Sequence, residues 1–343
     1  MTVRTTNVDG TTAMRGTAVG VMNVLIAASV LDAAAVLPGE RAATLPTATA
    51  TDTAAPAAAP APAPAVRSGK TQFTRPNGEE FFARKIQFGD QETTDIDLTR
   101  GWLAEGLHPF YVGKAGCGKT AMIEAATHDW EGSNGLVTMM GTASTTASDF
   151  TVTRVPQPDG TFATKKGPLT EAAEGGKVLY VDEIGRIEPR ELTVLYSVMD
   201  GRGEFNIPEA PELGTIVCQP GFKVIASTNP DAPGCIIDDA LLNRFMPGIE
   251  YTTDFSIAVR FLGVKKEVAA LAKDMTKQVK AGTAYWAPTM RTLLQWKKIA
   301  KINGERAAWQ GLVTAAPEEA RQEVAAAIER AVGVKVEAAA WEM

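Results

Sequence analysis

Residues 113–120, GKAGCGKT, constrain this chain more than any other stretch. They satisfy the pattern G-x-x-x-x-G-K-[ST] at every fixed position, and such a loop works only between a strand and a helix. Gly113, Gly116 and Gly118 let backbone N–H groups close on phosphate oxygens without side-chain clashes, while Lys114, Ala115 and Cys117 fill the variable positions. Lys119 brings a point charge to the outer phosphates, and Thr120 offers a hydroxyl to Mg²⁺. The flanks agree. Residues 109–112 (PFYV) read as a short buried parallel strand, and 121–130 places Met122, Ile123 and Ala126 at helical spacing, so the helix dipole points at the anion.

A second apolar run, 178–181 (VLYV), ends in Asp182 and Glu183. A strand closing on two acids is common alone; beside a phosphate loop it is the Walker B arrangement. Asp182 helps to hold Mg²⁺, and Glu183 is placed to polarise an attacking water. A third run, 222–226, leads into Ser227, Thr228, Asn229 and Pro230. An amide at the tip of a central strand can hydrogen-bond the water or the terminal phosphate, which makes Asn229 a candidate sensor; by itself it reads as a strand-ending turn. Five strand candidates, 110–112, 136–140, 178–181, 222–226 and 249–251, alternate with helical stretches. That is the signature of a parallel α/β sheet with its ligand at the strand C-termini.

Composition sets the outer limits. At 343 residues with 45% apolar content the chain can build two or three domains. A net charge of −6 disfavours nucleic acid as the main partner. The cysteines Cys117, Cys218 and Cys235 lack paired spacing, and His108 and His128 do not cluster, which argues for a reducing, cytoplasmic setting and against structural zinc. Cys117 reads best as a small filler within the loop.

The phosphate loop, the acid pair, Asn229 and the segment Ala240-Leu241-Leu242-Asn243-Arg244-Phe245 together resemble the AAA+ ATPases. The resemblance implies a sheet in the order 5-1-4-3-2, a C-terminal helical lid from about residue 255, and ATP with Mg²⁺ as cofactors. It also implies a trans-acting arginine at Arg244, which completes the neighbouring subunit's site, although an arginine there could equally pair with a surface acid. Arg291, opening a later helix, matches the sensor-2 position, in cis or in trans. Within that superfamily the chain looks like the MoxR-like branch, which includes cobaltochelatase-type and gas-vesicle-type ATPases. Gly167-Pro168-Leu169 leads through Ala172 and Gly175-Gly176 into the acid-tipped strand, followed by Arg186, Pro189, a helix with Leu192, Leu195 and Tyr196, and Met199-Asp200-Gly201-Arg202. Gly185 departs from that branch, which often carries Asn there. The segment 156–162, with Phe162, Lys165 and Lys166 at or near it, would form a hairpin by the ring's central opening and touch a client, or be merely solvated.

Residues 1–70 are read as an extension: an apolar stretch at 18–37 expected to form a short helix rather than a membrane span or a signal peptide, then an Ala/Pro/Thr-rich spacer. Residues 71–254 are expected to be the nucleotide-binding domain and 255–343 the lid. The resulting expectation is a Mg²⁺-dependent ATPase in a homo-oligomeric, six-membered ring that remodels or assembles a protein client. Alternatives are a chelatase-type motor whose partner carries a metal-ion-dependent adhesion domain, a nucleic-acid-associated motor, and a nucleotide-switched scaffold.

Overall fold

The computed structural model describes residues 70–339; expectations for the N-terminal extension before Lys70 lie outside the described residues. Two hairpins open the fold. Strands β1 (Gln72–Thr74) and β2 (Glu80–Phe82) pair across a turn in which Gly78 N donates to Arg75 O at 2.9 Å, with Gly78 at φ +79°. Only glycine takes that conformation without strain. Strands β3 (Lys85–Phe88) and β4 (Gln91–Thr94) follow, and Thr94 caps α1 (Asp95–Ala104) by accepting from Asp97 N at 3.0 Å.

The central layer is built from β5 (Phe110–Val112), α2 (Lys119–Thr127) and β6 (Leu136–Met140), then α3 (Ala147–Thr151), the β7 (Val152–Pro156) and β8 (Phe162–Lys166) hairpin, α4 (Pro168–Gly175) and β9 (Val178–Asp182). Two 3₁₀ turns lead to α5 (Thr193–Met199), the β10 (Glu204–Asn206) and β11 (Thr215–Val217) hairpin, β12 (Lys223–Thr228), α6 (Asp239–Arg244) and β13 (Gly248–Glu250). Five strands form one parallel sheet in the order β13-β5-β12-β9-β6. In chain order of its own strands this is 5-1-4-3-2, the AAA+ P-loop arrangement. Strands β5, β9 and β12 are almost wholly buried, which accounts for their unbroken apolar runs.

The register corrects one strand end. β12 continues past Ala226 through Ser227 and Thr228, both fully buried, with Thr228 opposite Val112. Polar residues are tolerated there because each finds a partner: Ser227 donates to Asp182, and Thr228 Oγ1 lies 3.4 Å from Cys235 Sγ. Similarly α2 stops at Thr127, three residues short of the expected end, where the chain turns through Asp129 at φ +50°.

From Phe255 onward the chain is helical: α7 (Phe255–Arg260), α8 (Lys266–Lys280), α9 (Met290–Asn303), α10 (Glu305–Thr314) and α11 (Glu318–Val332). They share their own core of Val268, Leu293, Leu312, Val324 and Ile328, with Trp296 edge-on to Trp309 at 5.1 Å between ring centroids. Each such burial stabilises by about 1.5–3 kcal/mol. Among the described residues no helix is long and apolar enough to cross a membrane.

Candidate active site

The phosphate loop joins β5 to α2, and its glycines are required by contact as well as conformation. A Cβ on Gly113 would lie 2.2 Å from the Tyr251 carbonyl oxygen. Gly116 and Gly118 sit at φ +77° and +105°, turning successive N–H groups toward one concavity at the start of α2. Lys119 is buried, 5% exposed, and its Nζ donates to Gly113 O at 2.7 Å and Lys114 O at 3.3 Å. An ammonium has three donors, so one is left for an anion in the loop. Lys114 and Ala115 are exposed, while Cys117 is 2% exposed and packs into the core.

Beneath the loop, Asp182 ends β9 as the hub of a hydroxyl network. Thr120 Oγ1 donates to its Oδ2 at 3.0 Å, while Ser227 Oγ and Glu183 N donate to its Oδ1 at 2.5 and 3.0 Å. Tyr180 OH lies 2.9 Å from Ser227 Oγ and 3.3 Å from Thr120 Oγ1; burial, reinforced by the Asp182 charge, pushes its phenol well above the ordinary range and keeps it protonated. A threonine hydroxyl beside a carboxylate is the hard-oxygen pair that suits Mg²⁺, which takes one or two protein ligands and completes its shell with phosphate and water.

Glu183 adopts φ 54°, ψ 39°, a left-handed conformation that costs a non-glycine residue of order 1 kcal/mol or more. Its carbonyl oxygen lies 2.6 Å from where a Cβ on Gly141 would stand, so Gly141 makes room for the turn. The Glu183 Oε2 accepts from the backbone N–H of Asn229 at 3.2 Å, while the Asn229 Oδ1 accepts from Asp231 N at 3.3 Å. The two residues are therefore neighbours, joined through the main chain.

A family model for the AAA domain (dynein-related subfamily) matches residues 108–245, from the start of β5 to the end of α6. This segment is therefore similar to AAA domains. Within it lie the phosphate loop, the acid-tipped strand and all but the last strand of the parallel sheet of a P-loop NTPase fold. An uncharacterized protein of Staphylococcus aureus is 40% identical over 81 residues, 23% of this chain and 30% of that protein. An uncharacterized protein of Staphylococcus epidermidis is 38% identical over the same length. The chain thus spans about a third of the curated relatives it matches. A solved structure of a candidate ATPase from Cytophaga hutchinsonii aligns with a TM-score of 0.39 at 16% identity, covering 66% of this chain and 78% of that one.

The fold brings Lys119, Thr120, Asp182, Glu183 and Asn229 to the C-terminal ends of the central strands. Arg291 joins them from the helical segment: its N–H donates to Gly116 O at 3.2 Å, and a Cβ on Gly116 would lie 3.0 Å from the Arg291 Cβ. Arg244 is placed otherwise. Its Nε and Nη2 donate to Asp200 Oδ1 and Oδ2 at 2.8 and 3.0 Å, and its guanidinium lies 3.9 Å over the Tyr196 ring. Its contacts are with Asp200, Tyr196 and Ala240, at the end of α5 and in α6, and not with the phosphate loop or the acids.

Gly185 also has a local explanation. A side chain there would meet Cys235 Sγ at 2.5 Å and Thr228 Oγ1 at 2.7 Å, because the loop after Asn229 folds back and Ile236 N donates to Gly185 O at 2.6 Å. Sequence reasoning missed three contributors. Ser227 and Tyr180 complete the Asp182 network, and Arg84 braces the loop, its Nη2 donating to Cys117 O at 3.0 Å and Nη1 to Thr252 O. No motif marks Arg84; only its partners in space do.

Proposed function

We propose that this chain is a Mg²⁺-dependent ATPase of MoxR-like type that works as a homo-oligomeric, six-membered ring and spends hydrolysis on remodelling or assembling a protein client in the cytoplasm. Residues 71–254 serve as the nucleotide-binding domain and 255–343 as its lid. The observation that carries the ring is the placement of Arg244. In a chain whose phosphate loop, acids, Asn229 and Arg291 are already assembled, Arg244 is instead held by Asp200 at the end of α5. An arginine so placed serves a neighbour's nucleotide.

Thr120 and Asp182 would hold Mg²⁺, which when bound neutralises charge on the outer phosphates. The loop N–H groups at the start of α2 and the Lys119 ammonium hold and orient the triphosphate, while the Gly113 N–H is bonded to Thr228 O at 3.1 Å. The Glu183 carboxylate takes a proton from the attacking water as its oxygen bonds the γ-phosphorus and the bond to the β–γ bridging oxygen breaks, the electron pair leaving with ADP. Asn229, tied to Glu183 through its N–H, positions that carboxylate and reads the terminal phosphate. Arg291 acts on its own subunit's nucleotide, a reading supported by its backbone contact with Gly116.

For the client, Phe162 begins β8 and is 61% exposed on a hairpin bound to the 204–217 segment by Arg154 Nη2 to Glu209 O at 2.7 Å and Thr164 Oγ1 to Glu212 Oε1 at 2.9 Å. Lys166 is paired with Glu174 at 2.6 Å, which leaves Phe162 and Lys165 as the client-facing pair. The deciding experiment uses Glu183→Gln. It keeps nucleotide binding and stops turnover, and the trapped assembly retains its client for identification by mass spectrometry. Undiminished turnover removes Glu183 from its role, and turnover independent of protein concentration in a nucleotide-bound monomer removes the ring.

A further inference from the structure

We infer that Asp200, with Tyr196 beneath it, is the positioning residue that fixes Arg244 in the geometry a neighbouring subunit's nucleotide requires. This rests on the trans role proposed for Arg244. Asp200 lies at the end of α5, and Arg244 is the last residue of α6, 44 positions on. A free arginine side chain samples many rotamers, so a catalytic arginine on an exposed helix end needs an external hold. Here three constraints converge: the side-on grip of Asp200 on Nε and Nη2, the Nη1 bond to Ala240 O at 3.0 Å, and the Tyr196 face 3.9 Å below the guanidinium.

The donor count decides between a hold and a stopper. A guanidinium has five N–H bonds, and the contacts use Nε–H, one on Nη1 and one on Nη2. One N–H remains on each terminal nitrogen, and each can reach a phosphoryl oxygen. Asp200 thus takes the side of the fork without exhausting its donors. The charges agree: the Arg244 hydrogen bonds hold the Asp200 carboxyl below its ordinary range, with Arg202 adding to the field, and the Arg244 guanidinium is held more firmly protonated by Asp200. Asp200 remains ionised, and Arg244 keeps its charge.

Mixing two full-length variants tests this. One carries Glu183→Gln and supplies Arg244; the other carries Arg244→Ala and supplies Glu183. Each alone is inactive, and the mixture recovers ATP turnover because every productive interface pairs one intact acid with one intact arginine. Asp200→Asn added to the arginine-supplying chain lowers the recovered kcat roughly 10- to 100-fold with KM for ATP unchanged, as expected for a misplaced group that acts in the transition state. Asp200→Glu, which retains two acceptor oxygens, recovers most of that loss. The same Asp200→Asn change in the chain that already lacks Arg244 has no arginine to misplace and lowers turnover no further. If mixing never recovers turnover, the trans arginine itself is wrong and this assignment falls with it. If mixing works but Asp200→Asn has no effect, acts equally in both chains, or raises turnover, the trans arginine stands and Asp200 is not its positioning residue.

Discussion

Two arginines in this molecule each lie over a tyrosine ring beside an aspartate, and they differ in how far water reaches them and in what their N–H groups bind. Arg84 lies 3.9 Å over the ring of Tyr251 beside Asp95, and Arg244 lies 3.9 Å over the ring of Tyr196 beside Asp200. The Arg84 and Asp95 side chains are 11% and 6% exposed; those of Arg244 and Asp200 are 27% and 37% exposed. Burial raises the Asp95 carboxyl above its ordinary range despite Arg84, whereas hydrogen bonds from Arg244 lower that of Asp200. The buried trio therefore gives up electrostatic energy for geometry: Tyr251 OH donates to Asp95 at 2.8 Å, Arg84 reaches the Cys117 carbonyl, and the phosphate loop is tied to the strand beside it. In the half-exposed trio the cation is gripped by two hydrogen bonds to Asp200. The first is a brace for the chain's own loop, and the second is the arrangement proposed above to present a charge to another subunit.

The strongest test of this division is Arg244→Ala. Loss of a trans arginine lowers kcat by about 10³-fold or more, while the urea midpoint stays near that of the unaltered chain, because exposed ion pairs contribute little to folding. Steady-state phosphate release and a denaturation curve on one preparation measure both. A large shift in midpoint with modest loss of turnover would make Arg244 a structural residue and erase the contrast.

Arg84→Ala should do the reverse. It leaves Asp95 buried without its cation, a change that costs about 3–5 kcal/mol where a buried pair is broken. Urea unfolding should show that loss, with KM for ATP raised as the loop loosens and kcat less affected. Gly113→Ala attacks the same brace from the other side. Its Cβ would stand 2.2 Å from the Tyr251 carbonyl, so either the loop or the Arg84-Tyr251 stack must move. The expected cost is about 1–3 kcal/mol, the usual range for overpacking, and nucleotide titration should show weakened binding. An unchanged midpoint and affinity would mean that Tyr251 does not fix the loop.

The two trios also differ in how far they could be read before the fold was known. The eight-residue loop and the acid pair are contiguous, so their spacing alone carries the chemistry, and the five strands follow from apolar runs between helical stretches. Arg244 stood out through its local motif, with pairing to a surface acid kept as the alternative; the acid is Asp200, which was visible only as part of the Met199-Asp200-Gly201-Arg202 run. Nothing marked the brace. Tyr251 and Asp95 are 156 positions apart, and Arg84 and Thr252 are 168 apart, so neither pairing leaves a periodicity or a spacing to find. Ser227 was hidden for a related reason: a polar residue after an apolar run reads as a strand end, but the Asp182 carboxylate lets β12 continue through it.

The smallest and sharpest expected effect is a difference in sign with pH. For Asp95 the folded state holds its proton more tightly than the unfolded chain does, so its contribution to stability is greatest below the ordinary carboxylate range near pH 4 and declines as pH rises through its raised folded value. For Asp200 the folded value is lowered, so its contribution is complete above the unfolded value and is lost as pH falls through the folded one. Asp95→Asn should therefore gain on the unaltered chain as pH rises from acid toward neutrality, and Asp200→Asn should lose ground over the lower part of that climb and then level off. Urea midpoints for both variants, taken as differences from the unaltered chain at matched ionic strength between pH 3 and 7, give two curves of opposite slope. The Asp200 curve should flatten further as salt is added, since water and ions reach that pair, and the Asp95 curve should hold its shape. Parallel slopes would show that burial does not separate the two trios, and the brace would then need another explanation than geometry kept at electrostatic cost.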